Sequence, residues 1–140
     1  MTIQKQGAPR TSATTKARGD QAELMALTYL RQQGLRALQR NFRTPGRGGG
    51  EIDLIMAEPD GTVVFVEVRH RARATHGGAG ASVSVFKQRR IVFAARHYLL
   101  RCQPVPPCRF DVVAIDGALE GAAPPRVSWL RGAFDAAGWV

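Results

Sequence analysis

Apolar and polar positions alternate along this chain with two different periods, and the switch points mark its elements. Ala22, Met25, Ala26, Tyr29 and Leu30 recur at i, i+3, i+4, i+7 and i+8, the spacing of a helix with one buried face. Asp20 can cap its start, and Gly34 can supply the left-handed residue that ends it. A short strand over 35–42 follows. Segment 43–50 holds four glycines and a proline, which predicts a mobile loop. It lacks the Gly-Lys-Ser/Thr ending of a phosphate-binding loop, and its single Arg-Gly-Gly is weak evidence for RNA binding.

Period two takes over in 51–57 and 62–70, which read as strands joined by Glu58-Pro59-Asp60-Gly61. Pro59 presets the first turn residue and Gly61 tolerates positive φ, as a three-residue hairpin loop requires. That loop places Ile55 opposite Phe65, Asp53 opposite Glu67 and Glu51 opposite Arg69, all six on one face. Ile52, Leu54, Val64, Val66 and Val68 fall on the other face as core.

Ser84 can cap a second helix reaching about residue 101, with Ile91, Ala95, Tyr98, Leu99 and Cys102 as its apolar face. Pro104, Pro106 and Pro107 stop it. Residues 110–115 form an apolar, β-branched strand, and 126–130 an edge strand. The order αβββαβ describes a mixed α/β domain. The aromatic residues Tyr29, Phe86, Phe93, Tyr98 and Trp129 are expected in the core rather than as base-stacking platforms.

At 140 residues the chain is long enough to bury a core without staples. Cys102 and Cys108 are too few for a disulfide framework and match no zinc spacing, so two ordinary thiols in a reducing compartment are expected. No run approaches a membrane span or a signal peptide, which leads to the expectation of a cytoplasmic protein. Residues 1–18 are basic, without an acid, and rich in Ser and Thr; they are expected to form a disordered arm ahead of a single domain over 19–140.

Charge adds a direction. The formal net charge is +9, and from Val68 to Phe110 the chain has Arg69, Arg71, Arg73, Lys87, Arg89, Arg90, Arg96, Arg101 and Arg109 but no acid. Glu51, Asp53, Glu58, Asp60 and Glu67 lie just before. A basic field beside an acidic cluster suits a polyanion held around a divalent cation. A solvated, arginine-rich surface is the plainer account of the same charges.

Opposed carboxylates repel unless a cation sits between them, and Mg²⁺ suits Asp53 and Glu67. The alternative is that Glu51 pairs with Arg69 while Asp53 and Glu67 are solvated or raised in pKa.

A resemblance sharpens this reading. Gly50-Glu51-Ile52-Asp53-Leu54-Ile55 and Val64-Phe65-Val66-Glu67-Val68-Arg69-His70-Arg71 resemble the signature of the bacterial YraN family. Gly19, Glu23 and Ala26, then Arg40-Asn41, Lys87-Gln88-Arg89-Arg90, Cys108-Arg109-Phe110-Asp111-Val112-Val113 and Ala133-Phe134 extend the likeness in order. That family is similar to the restriction-endonuclease-like superfamily, which includes Holliday-junction resolvases and the tRNA-splicing endonuclease fold.

The resemblance implies an αβββαβ core with a mixed sheet flanked by helices. It implies Asp53 and Glu67 as metal ligands, Glu23 as a helix carboxylate completing the set, and Glu51 and Gln88 supporting them. Where the superfamily has a lysine, this chain has Arg69. Arginine stays charged and cannot act as a base, but it can stabilise phosphate charge. Arg47, Arg71, Arg73, Lys87, Arg89 and Arg90 are the expected nucleic-acid contacts.

The implied function is a metal-dependent nuclease, using Mg²⁺ or Mn²⁺ and acting on DNA ahead of RNA, with branched or processed ends among its substrates. The alternatives are a binding module that keeps the fold without cleaving, and an RNA-processing protein. A homodimer would suit two-strand cutting.

Overall fold

Gly61, at φ 94°, donates its N–H to Glu58 O (2.9 Å), and Glu58 N–H reaches Thr62 O (2.9 Å), closing the predicted turn. The strands it joins, β2 (Glu51–Ala57) and β3 (Val63–Arg71), pair antiparallel with Ile55 opposite Phe65, the register read from the turn. This hairpin is the centre of the sheet in the computed structural model, which describes residues 14–72 and 82–136. Before it come α1 (Thr15–Gln32) and β1 (Arg36–Arg43); after it come α2 (Val85–Leu99), β4 (Cys108–Asp116) and β5 (Arg126–Phe134).

The five strands stand in chain order, antiparallel except for the β3–β4 pair, which is parallel. Parallel neighbours need a crossover, and α2 lies in it. This is a mixed α/β sheet with the antiparallel meander and helical crossover of a nuclease-like core. The edge strand β5 is longer than the sequence pattern indicated.

Helix α1 starts earlier than expected. Thr14 caps it by accepting Ala17 N–H (3.0 Å), and Asp20 instead forms a surface ion pair with Lys16 one turn back (3.0 Å). Residues 15–18 of the expected arm are therefore helical, while 1–13 lie outside the described residues. Gly34 ends the helix at φ 102°, as expected.

Each helix covers one face of the sheet. Ala22, Ala26, Leu27 and Leu30 of α1 pack on Leu54, Met56, Val64, Val66, Val113 and Ile115. Ile91, Val92, Ala94 and Ala95 of α2 pack on Phe42, Ile52, Ile55, Val63, Phe65 and Phe110. Each fully buried Leu, Ile or Phe contributes roughly 1.5–3 kcal/mol.

Two expectations about the core are corrected. Ile52 lies on the α2 side with Ile55, not with Leu54, so the alternation of β2 loses step at Asp53. Phe86 and Phe93 are 69% and 42% exposed, because they lie off the α2 face that carries Ile91 and Ala95. Tyr98 does pack, edge-on to Phe42 and Phe65, and so do Tyr29 and Trp129 against each other.

The glycine-rich loop is pinned at its base. Thr44 N–H donates to Gly50 O (3.0 Å), and Gly50 N–H donates to Thr44 Oγ1 (2.7 Å). A Cβ on Gly50 would sit 2.0 Å from Arg90 O, so only glycine lets β2 enter this close to the α2 backbone. Among the described residues no helix is long and apolar enough to cross a membrane, and Cys102 and Cys108 are both free thiols.

Candidate functional site

The site begins where the hairpin opens. Backbone pairing between β2 and β3 runs from Ala57/Val63 to Leu54/Val66 and stops there. One residue further, Asp53 Oδ2 accepts the Val68 N–H at 2.8 Å, so a side chain replaces the next cross-strand backbone partner. The predicted oppositions of Asp53 with Glu67 and of Glu51 with Arg69 are therefore not ladder pairs. Glu51 pairs instead with Arg43 of β1.

The loss of step has a counterpart in β1. Arg40 pairs with Leu54 and Phe42 with Ile52, which sets Asn41 against Asp53. Asn41 has φ 51°, a conformation that Asn tolerates better than most residues. Both strands thus twist at the same level, and Asp53 is turned into the gap between the β2 and β3 ends.

Three carboxyl groups meet through Asp53. Burial pushes the Glu67 carboxyl up from 4.5 to about 8; the Asp53 charge adds to this, Lys87 opposes it, a hydrogen bond with Asp53 adds further, and Arg69 opposes. Glu23, from α1, is pushed up from 4.5 to about 7, by burial first, then by the charge of Asp53 and a hydrogen bond with it, and by Asp20, against Arg40. As carboxylates, Glu23 and Asp53 are both acceptors. Glu23 Oε1 is buried with no donor, and its contact with Asp53 becomes a hydrogen bond only with a proton between them. The set is short of positive charge.

The compensating charge nearest Glu67 comes from α2. Lys87 Nζ stands 3.8 Å from Glu67 Oε2, too far for a hydrogen bond but close enough for strong attraction at a buried carboxylate. Ser84 fixes the start of this helix by accepting Lys87 N–H (3.1 Å).

Glu51 lines a hollow of about 460 Å³ with Glu23, Asn41, Arg43, Lys16 and Asp20, beside the carboxyl set rather than within it. Arg69 donates to Ser82 O (3.0 Å), which engages its guanidinium with the chain leading into α2. Gln88 donates to Val83 O (2.9 Å). Arg71 is ion-paired with Asp116 at the ends of β3 and β4 (3.0 Å). Arg47 and Arg89 are exposed, Arg90 donates to Gly49 O (3.1 Å), and Arg73 lies outside the described residues.

Part of the basic field is engaged by the chain's own groups. Arg101 stacks on Phe42 and Tyr98, each 5.2 Å away. Arg109 bridges Glu58 (2.6 Å) and Asp111 (3.0 Å). Asp111 is fully buried and also accepts from Trp129 Nε1 (2.9 Å) and Gly132 N–H (2.9 Å), tying β5 to β4. Sequence reasoning gave Asp111 no role. An acid in a strand between Phe110 and two valines is the signal that it sits in the core. Lys87 was read as a phosphate contact rather than as the cation at Glu67, because no local pattern relates it to β3.

Fold and site together define a mixed-sheet α/β domain with an acidic cluster at the opening of its central hairpin. This chain belongs to the family described as Uncharacterised protein family UPF0102, whose model matches residues 22–115 and so takes in Glu23, Asp53, Glu67 and Lys87. Among its relatives, a UPF0102 protein of Polaromonas naphthalenivorans is 64% identical, covering 88% of this chain and 82% of the relative. One from Albidiferax ferrireducens is 63% identical, with coverage of 88% and 91%. One from Methylibium petroleiphilum is 56% identical, with coverage of 88% and 98%.

Proposed function

We propose that this protein is a metal-dependent nuclease that hydrolyses phosphodiester bonds in DNA. The observation that carries the reading is the charge deficit at Glu23, Asp53 and Glu67: two carboxyls raised towards neutrality and a buried oxygen without a donor. Among the described residues no group of three or more His, Cys, Asp or Glu side chains is arranged to hold a metal ion as it stands. The donor chemistry nevertheless fits a hard divalent cation, which takes carboxylate oxygens and water as ligands. Asp53, Glu67 and Glu23 would hold Mg²⁺ or Mn²⁺, which supplies Lewis acidity and neutralises phosphate charge when bound.

The remaining work falls to the chain's own groups. Asp53 is held by Val68 N–H, so its second oxygen keeps a fixed direction. Lys87 Nζ has three donors, and those not turned to Glu67 can orient a water or a phosphate oxygen. It thereby takes the place that the resemblance assigned to the residue at position 69. Arg47 and Arg89 would hold flanking phosphates.

A second reading, a binding module that does not cleave, is favoured by Arg69, whose guanidinium is turned to Ser82 O. Calorimetric titration with Mn²⁺ and Mg²⁺, followed by cleavage assays on duplex, single-stranded and branched DNA and on RNA, separates the two. Cation-dependent cutting lost in Asp53→Asn supports the nuclease. Salt-sensitive binding indifferent to metal, with no cutting of any substrate, supports the module.

A further inference from the structure

The exposed side of α2 carries a pattern that the core does not use. Phe86, Arg90, Phe93 and His97 follow one another at helical spacing and form a single stripe along the helix. The Arg90 guanidinium lies 5.9 Å from the Phe86 ring centroid, and the Phe93 and His97 rings are 4.7 Å apart. Phe86 is 69% exposed, and Phe93 42%. Between them opens a hollow of about 390 Å³ lined by Gly48, Phe86, Arg89, Arg90 and Phe93.

The charge that α2 itself carries is of one sign. Helix α2 contains Lys87, Arg89, Arg90 and Arg96 and no carboxylate. Two exposed phenyl rings interleaved with guanidinium groups are chemically suited to stacked bases and their phosphates. Arg90 is fixed by Gly49 O at 3.1 Å, so part of the platform is ordered in advance and little freedom is lost on binding. Phe86 precedes Lys87, whose ammonium stands 3.8 Å from Glu67, so the stripe and the carboxyl set share helix α2 while facing different directions around it.

We propose that this face of α2 is a stacking platform for unpaired nucleotides, with bases on Phe86 and Phe93 and phosphates on Arg89 and Arg90. The inference rests on the nucleic-acid reading above and specifies its substrate as a single strand or a frayed end. Duplex bases are already stacked on one another and offer no free face, so the rings serve only unpaired ones.

The test measures binding in EDTA, where no cleavage intervenes. Fluorescence anisotropy compares oligothymidylate, oligouridylate and a blunt duplex, each of about 12 nucleotides, at several salt concentrations. Phe86→Ala combined with Phe93→Ala should weaken single-strand binding roughly 30-fold or more, since each stack contributes a factor of about five at least. Duplex affinity and the salt slope should stay unchanged, because the slope counts phosphate contacts. The unchanged duplex affinity excludes misfolding as the cause, and Phe86→Trp, which keeps a stacking face, should keep the single-strand affinity.

Equal losses on duplex and single strands, or no loss on single strands, would overturn the proposal. So would a wild-type dimer that dissociates in the double variant with strand binding intact, since the face would then join two copies. Cation-dependent cutting with strand binding indifferent to the rings defeats this proposal alone. Ring-dependent binding without any cutting defeats the nuclease reading alone.

Discussion

Asp53 Oδ2 takes the hydrogen bond from Val68 N–H that a backbone carbonyl would take if the β2–β3 ladder continued. The same carboxyl touches Glu23 and Glu67, so one residue both ends the ladder and gathers the acids. Its two tasks can be separated. Asp53→Asn keeps an acceptor for Val68 and should unfold within about 1 kcal/mol of wild type, while Asp53→Ala leaves that N–H unpaired and should cost roughly 1–3 kcal/mol in urea denaturation. Both should abolish calorimetric Mn²⁺ binding. An Asn variant that binds Mn²⁺ normally would remove Asp53 from the ligand set.

On the nuclease reading proposed above, Lys87, 3.8 Å from Glu67, is expected to matter more than Arg69. Lys87→Ala should reduce cleavage by at least about 10²-fold, the scale of losing one positioned acid–base or orienting group, and should push the Glu67 carboxyl further up because its opposing charge is lost. Arg69→Lys should alter cleavage less than threefold (about 0.6 kcal/mol), since the guanidinium is occupied by Ser82 O. Steady-state rates on a labelled oligonucleotide decide the comparison; a large gain in Arg69→Lys would return the role to position 69.

Metal-free stability should fall with rising pH through Glu67. Its folded value, about 8, lies above the 4.5 of the unfolded chain, so folding takes up a proton between them. The stabilising contribution is complete below 4.5 and lost as pH rises through about 8. Glu67→Gln cannot titrate. Its melting temperature relative to wild type should therefore climb by at least about 3 °C between pH 5 and pH 8, the scale of 1 kcal/mol. A constant difference across that range would contradict the raised value.

Asp111 should be among the least replaceable residues for folding. Asp111→Ala removes the shared acceptor of Arg109, Trp129 and Gly132 at once; Arg109 keeps Glu58, but the Trp129 and Gly132 donors are left unpaired, which should cost about 2–6 kcal/mol. Asp111→Asn keeps part of the acceptor set and should cost less. Chemical denaturation monitored at Trp129 reads both, and a loss under about 1 kcal/mol for the Ala variant would show that β5 is held by other means.

How much of this was legible beforehand depended on whether the cause was local. The turn at Pro59 and Gly61 fixed the register of Ile55 with Phe65, because a hairpin's pairing follows from its loop. The helix caps at Gly34 and Ser84 were legible for the same reason. The missed step at Asp53 was not, since it arises between strands, with Asn41 twisting opposite. Nor was the approach of Lys87 to Glu67, which depends on how α2 lies across the sheet. The exposure of Phe86 and Phe93 could have been read: the period that buries Ile91 and Ala95 turns both rings away from the sheet.

The acids come from α1, β2 and β3, and their neighbouring ammonium from α2. No single helix or strand contains the whole set, and neither helix alone can complete it. A partly folded chain emerging from synthesis would carry these side chains scattered and harmless. Assembly of both layers acts as a safety catch: the chemistry proposed for this protein could begin only once the molecule is whole.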